Sequence, residues 1–156
     1  MIRRFRQHEA RQVVDLEGIW DFRFLGDVDP DEADPRLITC NDTVAVPGCF
    51  DASPRYAGRR GLALYRRHIH LADTTRHRVT FNGVHHWCRV HLIQNGECTP
   101  IGEHSGGFTV FSVDLTGHDA GAAELVVLVD NRFDYTRCPT HLAYFDWYHY
   151  GGITRG

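Results

Sequence analysis

The sequence predicts an all-β fold, an antiparallel β-sandwich, and three observations carry that prediction. Apolar residues recur with period two along most of the chain. Gly and Pro punctuate the intervals between those runs, at Pro47-Gly48, Gly58, Gly61, Gly106-Gly107 and Gly121. Helix-start chemistry occurs in a single stretch, "DPDEADPR", whose prolines limit it to about one turn.

The strands follow in order. In "GIWDFRF", Trp20, Phe22 and Phe24 fall on one side of an extended chain and Asp21 and Arg23 on the other. Further strands are expected at Thr43–Val46, Leu64–Leu71 and Val79–Phe81. "HWCRVHLIQNG" alternates Cys88, Val90 and Leu92 with Arg89 and His91, then meets Asn95-Gly96, a pair that tolerates positive φ and suits a tight hairpin. "FTVFSVDL" places Phe111, Val113 and Leu115 together. "ELVVLVD" is apolar on both faces, as a central strand covered on both sides must be. With no internal repeat, linker or low-complexity tract, the chain reads as one domain over residues 1–156. A short arm occupies about residues 1–12 and an aromatic terminal segment about 144–156.

Composition narrows the function. All 17 basic residues are Arg, which excludes a Schiff-base or phosphate-loop lysine. A net charge of −3 argues against nucleic acid as a partner. Arg3, Arg4, Arg6 and Arg11 are read as a solvated arm rather than a binding arm. The five cysteines, Cys40, Cys49, Cys88, Cys98 and Cys138, are odd in number and form no C-x-x-C, so reduced thiols and a cytoplasmic location are expected. No signal-peptide core appears, and "LVVLV" is the longest aliphatic run, so no membrane partner is expected either.

No local catalytic motif is present: there is no G-x-S-x-G, and "HSGGF" and "YGGI" do not form a phosphate loop. The 20 acids are too common to mark a carboxylate pair, and no cofactor is implied. His68 and His70 share a strand face and read either as a zinc-type pair or as a polar face beside Arg66. His85 and His86 point to opposite faces if extended, which disfavours a shared metal. Gly106 and Gly107 serve backbone geometry or close ligand approach. Asn131, directly after "LVVLVD", is either a strand-end residue or a ligand contact at the sheet's rim.

Taken in order, "DLEGIWDFRF", "VPGCFD", "YRRHIHL", "GEHSGGFTVFSVDLT", "ELVVLVDNRFD" and "FDWYHYGGITR" resemble the N-terminal sugar-binding domain of glycoside hydrolase family 2. The likeness runs from about Asp15 to Arg155 and is nearest to the β-glucuronidase/β-galactosidase-like branch. It implies a jelly-roll sandwich of the galactose-binding type, followed in full enzymes by an immunoglobulin-like sandwich and a TIM barrel. The family's catalytic glutamates lie in that barrel, the acid/base in an Asn-Glu pair. This sequence has no Asn-Glu, and a barrel needs about 250 residues, so the chain alone is expected to be inactive toward O-glycosyl bonds.

By the same resemblance, Asp146 matches an acid that hydrogen-bonds a sugar hydroxyl at the barrel's mouth, and Asp51, in the loop after "VPGCF", is a weaker substrate-binding candidate. The sequence departs from the family in two places. "NGECTPIGEHSGG" is about two residues longer than usual, and His149 stands where the glucuronidase-like stretch often has Asn. The implied function is a non-catalytic accessory domain whose partners are a β-glycoside and the two further domains; the alternative is a free-standing carbohydrate-binding module. Tyr144, Phe145, Trp147, Tyr148 and Tyr150 crowd one short segment and are expected to be partly exposed, mobile or covered by a second copy of the chain.

Overall fold

A computed structural model of the chain describes residues 12–72, 76–134, 136–137 and 149–155. Among the described residues ten strands follow one another: β1 (Gly18–Gly26), β2 (Asp42–Val46), β3 (Leu62–Leu71), β4 (Arg78–Phe81), β5 (Gly83–His85), β6 (Trp87–Gln94), β7 (Glu97–Ser105), β8 (Phe111–Asp114), β9 (Gly121–Asp130) and β10 (Gly152–Arg155). All their pairings are antiparallel. The main sheet has the order β2-β1-β3-β9-β6-β7, and the pairs β10-β5 and β4-β8 form the opposing layer.

The period-two pattern explains what faces the interior. Trp20 and Phe22 of β1, Cys88 and Val90 of β6, and Leu125, Val127 and Val129 of β9 meet Phe81, Val84, Val113 and Ile153 of the opposing layer in one core. Phe22 lies edge-on to Tyr56 and Tyr65 at 5.2 and 5.0 Å, so aromatic packing closes one end of that core. The β6–β7 hairpin turns on Asn95 and Gly96, with φ of 54° and 81°, as the dipeptide foretold.

β9 is central, and Leu125 to Val129 have no exposed surface. Its second face, with Leu62, Leu64 and Trp87, is covered by Val28, Ala33, Ile38 and Cys40. This cover contains "DPDEADPR", which forms successive turns rather than a helix. Asp29 and Asp34 accept from the N–H groups of Asp31 and Arg36, a local closure that competes with helical bonding. The helical turn among the described residues is instead a 3-10 turn at Phe50–Ala52, where the sequence predicts a loop.

Arginines pin the cover. Arg66 donates to the carbonyls of Pro35 and Ile38, and Arg89 and Arg137 both reach Asp31 while lying over the Trp87 ring at 5.2 and 5.6 Å. Arg132 engages the Asp130 carboxylate, Asp27 and the Val28 carbonyl. The Asp130 side chain is 4% exposed and that of Asp27 is 98% exposed, so the two ion pairs differ in kind. Removing the guanidinium strands a buried carboxylate, whereas losing Asp27 removes a solvated partner. Arg132→Ala should therefore lower unfolding free energy by about 2–4 kcal/mol and Asp27→Ala by less than about 0.5 kcal/mol, read from urea denaturation. Equal effects would place the stabilisation elsewhere.

Candidate functional site

One end of the sandwich gathers loops from distant parts of the chain. Gly48 N–H donates to Ile153 O and Phe50 N–H to Gly151 O, which ties the Pro47–Ala52 loop to the approach into β10. The Asp51 carboxylate accepts from Gly151 N–H at 3.3 Å, and its other oxygen is buried without a hydrogen bond. Asn131 continues β9 into this rim with no exposed surface: its Oδ1 accepts from Gly61 N–H at 2.9 Å and its Nδ2 donates to Arg59 O at 3.2 Å. Both amide ends of Asn131 are thus committed to holding the loop before β3. Asp146 lies outside the described residues, as do Tyr144, Phe145, Trp147, Tyr148, Cys138 and the N-terminal arginines. Tyr150 is half-buried and stacks on the His85 ring at 4.5 Å, so this member of the aromatic segment packs on its own sandwich.

The expectation that His85 and His86 diverge is corrected. β5 ends at His85 and β6 begins at Trp87, so His86 sits in the break and strand alternation does not apply. Its N–H donates to Asp130 O, its carbonyl accepts from Gly106 N–H, and the peptide bond joining the two histidines is cis. The two rings lie 3.6 Å apart, and His149 brings a third ring 5.4 Å from His86. Phe133 packs on His86 and His149 at 4.5 and 4.4 Å, and Phe108 meets His85 edge-on at 4.9 Å.

Burial pushes the His85 pKa down to about 4, aided by His149 and opposed by the Gly107 backbone and the Asp51 charge. Burial likewise takes His86 down to about 3, with His85, His149 and Arg60 acting in the same sense, and burial and then Arg60 lower His149. All three rings are therefore neutral near pH 7, and each carries one nitrogen lone pair. No sequence pattern marks this cluster, because His149 joins it only through the fold. The available signal was the departure of His149 from Asn within "YHYGG".

The His68–His70 pair stays on an exposed face of β3, where His68 Nδ1 lies 3.7 Å from Glu124. Of the paired glycines, Gly106 takes φ of 117°, and Gly107 leaves room for the His85 ring.

No family model matches the chain. A β-glucuronidase of Streptococcus agalactiae is 25% identical over 139 residues, 84% of this chain and 22% of that protein. The solved GH2 β-galacturonidase of Eisenbergiella tayi, with glycerol bound, superposes on 99% of this chain with a TM-score of 0.77 and 30% identity, over 25% of its own length. The Bifidobacterium dentium β-glucuronidase matches 86% of the chain at 33% identity and a TM-score of 0.68. The chain is a sandwich domain of the glycoside hydrolase family 2 type. This family 2 domain spans about a quarter of the length of the relatives it matches.

Within the family 2 domain, the contact between Gly107 and His85 is open to a direct test. A Cβ at Gly107 would overlap Nδ1 of His85 and approach Cε1 and Cγ of that ring to 2.6 Å, with Tyr150 and Phe108 holding the ring from other directions. Gly107→Ala should cost about 1–3 kcal/mol of stability. In a His85→Ala background the same change should cost at least about 1 kcal/mol less, since residues in contact are not additive. Equal costs in both backgrounds, measured by denaturant unfolding, would remove the contact from the account.

Proposed function

We propose that this chain is the non-catalytic, sugar-facing sandwich of a larger family 2 β-glycosidase that acts on uronides, where it shapes the active-site rim and helps assemble the enzyme. The alignment of 99% of the chain with one quarter of the Eisenbergiella tayi β-galacturonidase carries this reading. The β-glucuronidases among the relatives favour the same substrate class. In this proposal an immunoglobulin-like sandwich and a TIM barrel are the domain's partners, and the barrel supplies the catalytic carboxylates. In the same proposal the Asp146 carboxylate accepts a hydrogen bond from a sugar hydroxyl at the active-site rim. The anchoring of the stretch after it, through Gly151 to Phe50 and Asp51, supports that role. Asp51 and Asn131 shape the rim that carries this stretch, Asn131 with both amide ends occupied.

The 156-residue chain alone should turn over no nitrophenyl β-glucuronide or β-galacturonide above the buffer rate. Calorimetry should give dissociation constants for glucuronate and galacturonate weaker than about 1 mM. Micromolar affinity would favour a free-standing carbohydrate-binding module, and turnover would overturn the assignment. In the full enzyme that carries this domain, Asp146→Ala should reduce kcat/KM by the equivalent of about 1–3 kcal/mol with folding intact. Unchanged kinetics would remove Asp146 from the site.

A further inference from the structure

We propose that His85, His86 and His149 bind one divalent transition-metal ion of the zinc type, which ties the approach into β10 to the junction of β5 and β6. One ring nitrogen from each residue lies within 4.8 Å of the others. Zinc held by nitrogens at 2.0–2.1 Å in tetrahedral geometry needs them about 3.3 Å apart, so closing the site takes contraction of about 1.5 Å. That contraction must come from the rings, because the backbone positions are already set. His86 is held by its bonds to Asp130 and Gly106, and the His149 carbonyl accepts from Arg60 Nη1 at 2.9 Å.

A second observation points to a ligand. Nε2 of His86 is buried with no hydrogen bond, in a residue 7% exposed. Nδ1 of His85, in a residue 3% exposed, is also buried with no hydrogen-bond partner. A buried nitrogen in that state costs free energy unless a donor or a cation takes its lone pair. The Asp51 carboxylate places negative charge where it favours a cation at His85, and Arg60 opposes it from the His86 and His149 side. A donor set of imidazoles selects zinc, copper or nickel over magnesium and calcium, which require oxygen.

The test is titration of the chelator-stripped 156-residue chain with Zn2+, and with Mg2+ and Ca2+ as contrasts. Zinc should bind saturably at about one equivalent and raise Tm by roughly 4 °C or more, with no shift from the contrast ions. His149→Ala should weaken zinc binding by more than the roughly 10–100-fold that loss of an outer-shell partner costs. The doubly substituted His68→Ala/His70→Ala chain should bind as the wild type does. Imidazole nitrogen NMR of the wild-type chain gives a reading independent of any variant's folding: zinc should shift His85, His86 and His149 together. Absence of saturable binding, binding that survives His149→Ala, or shifts confined to His68 and His70 would overturn the proposal.

Discussion

Because Leu125, Val126, Val127, Leu128 and Val129 are apolar in succession, β9 needs cover on both faces, and the rest of the molecule is arranged to supply it. Each such side chain gains about 1.5–3 kcal/mol on burial, so exposing either face would cost more than a small domain can spare. The opposing strand pairs cover one face with a conventional apolar core. The other face is covered by a segment rich in Asp and Pro and poor in hydrophobic residues. Only four apolar side chains of that segment pack on the face, Val28, Ala33, Ile38 and Cys40, and its polar remainder needs other partners. Arginine resolves this: its planar fork engages several oxygens at once, and Arg132, Arg89, Arg137 and Arg66 each bridge the sheet to the cover.

The same strand sets the geometry of the rim. Asp130, the last residue of β9, presents its carbonyl to His86 and its carboxylate to Arg132, so one residue anchors the histidine junction on one side and the back cover on the other. Asn131 follows and clamps Gly61 and Arg59, which positions Arg60 to hold the His149 carbonyl. Loops far apart in sequence therefore converge where β9 ends. That convergence follows from hydrogen-bond satisfaction in a buried place, since a backbone group at the end of a fully buried strand has no water to turn to.

Much of this was legible in the sequence wherever side-chain alternation reports burial. Trp20 and Phe22, Cys88 and Val90, and the unbroken apolar run of β9 all fall as their periodicity predicts, and Asn95-Gly96 makes its turn. What escaped depends on contacts between distant segments. Nothing in "DPDEADPR" says that it covers a sheet face, because that role comes from arginines on β3, β6 and the segment after β9. Asn131 could be read as a rim residue but not as a clamp, since its partners lie 70 and 72 residues away. The histidine cluster escaped for a related reason: alternation is a property of strands, and His86 stands between two of them.

That cluster sets the rim apart from the core it closes. In the core, apolar groups meet apolar groups, and the buried Asp130 has its guanidinium. At the rim, imidazole rings are surrounded by Phe108, Phe133 and Tyr150, a setting that would suit phenyl rings better, since those leave no buried nitrogen unsatisfied. The low pKa values of His85 and His86 express the same cost from the other direction: the site rejects a proton because a charged ring there would be poorly solvated. A metal ion differs from a proton in this respect. It takes a lone pair from each of several rings at once, where a proton takes only one.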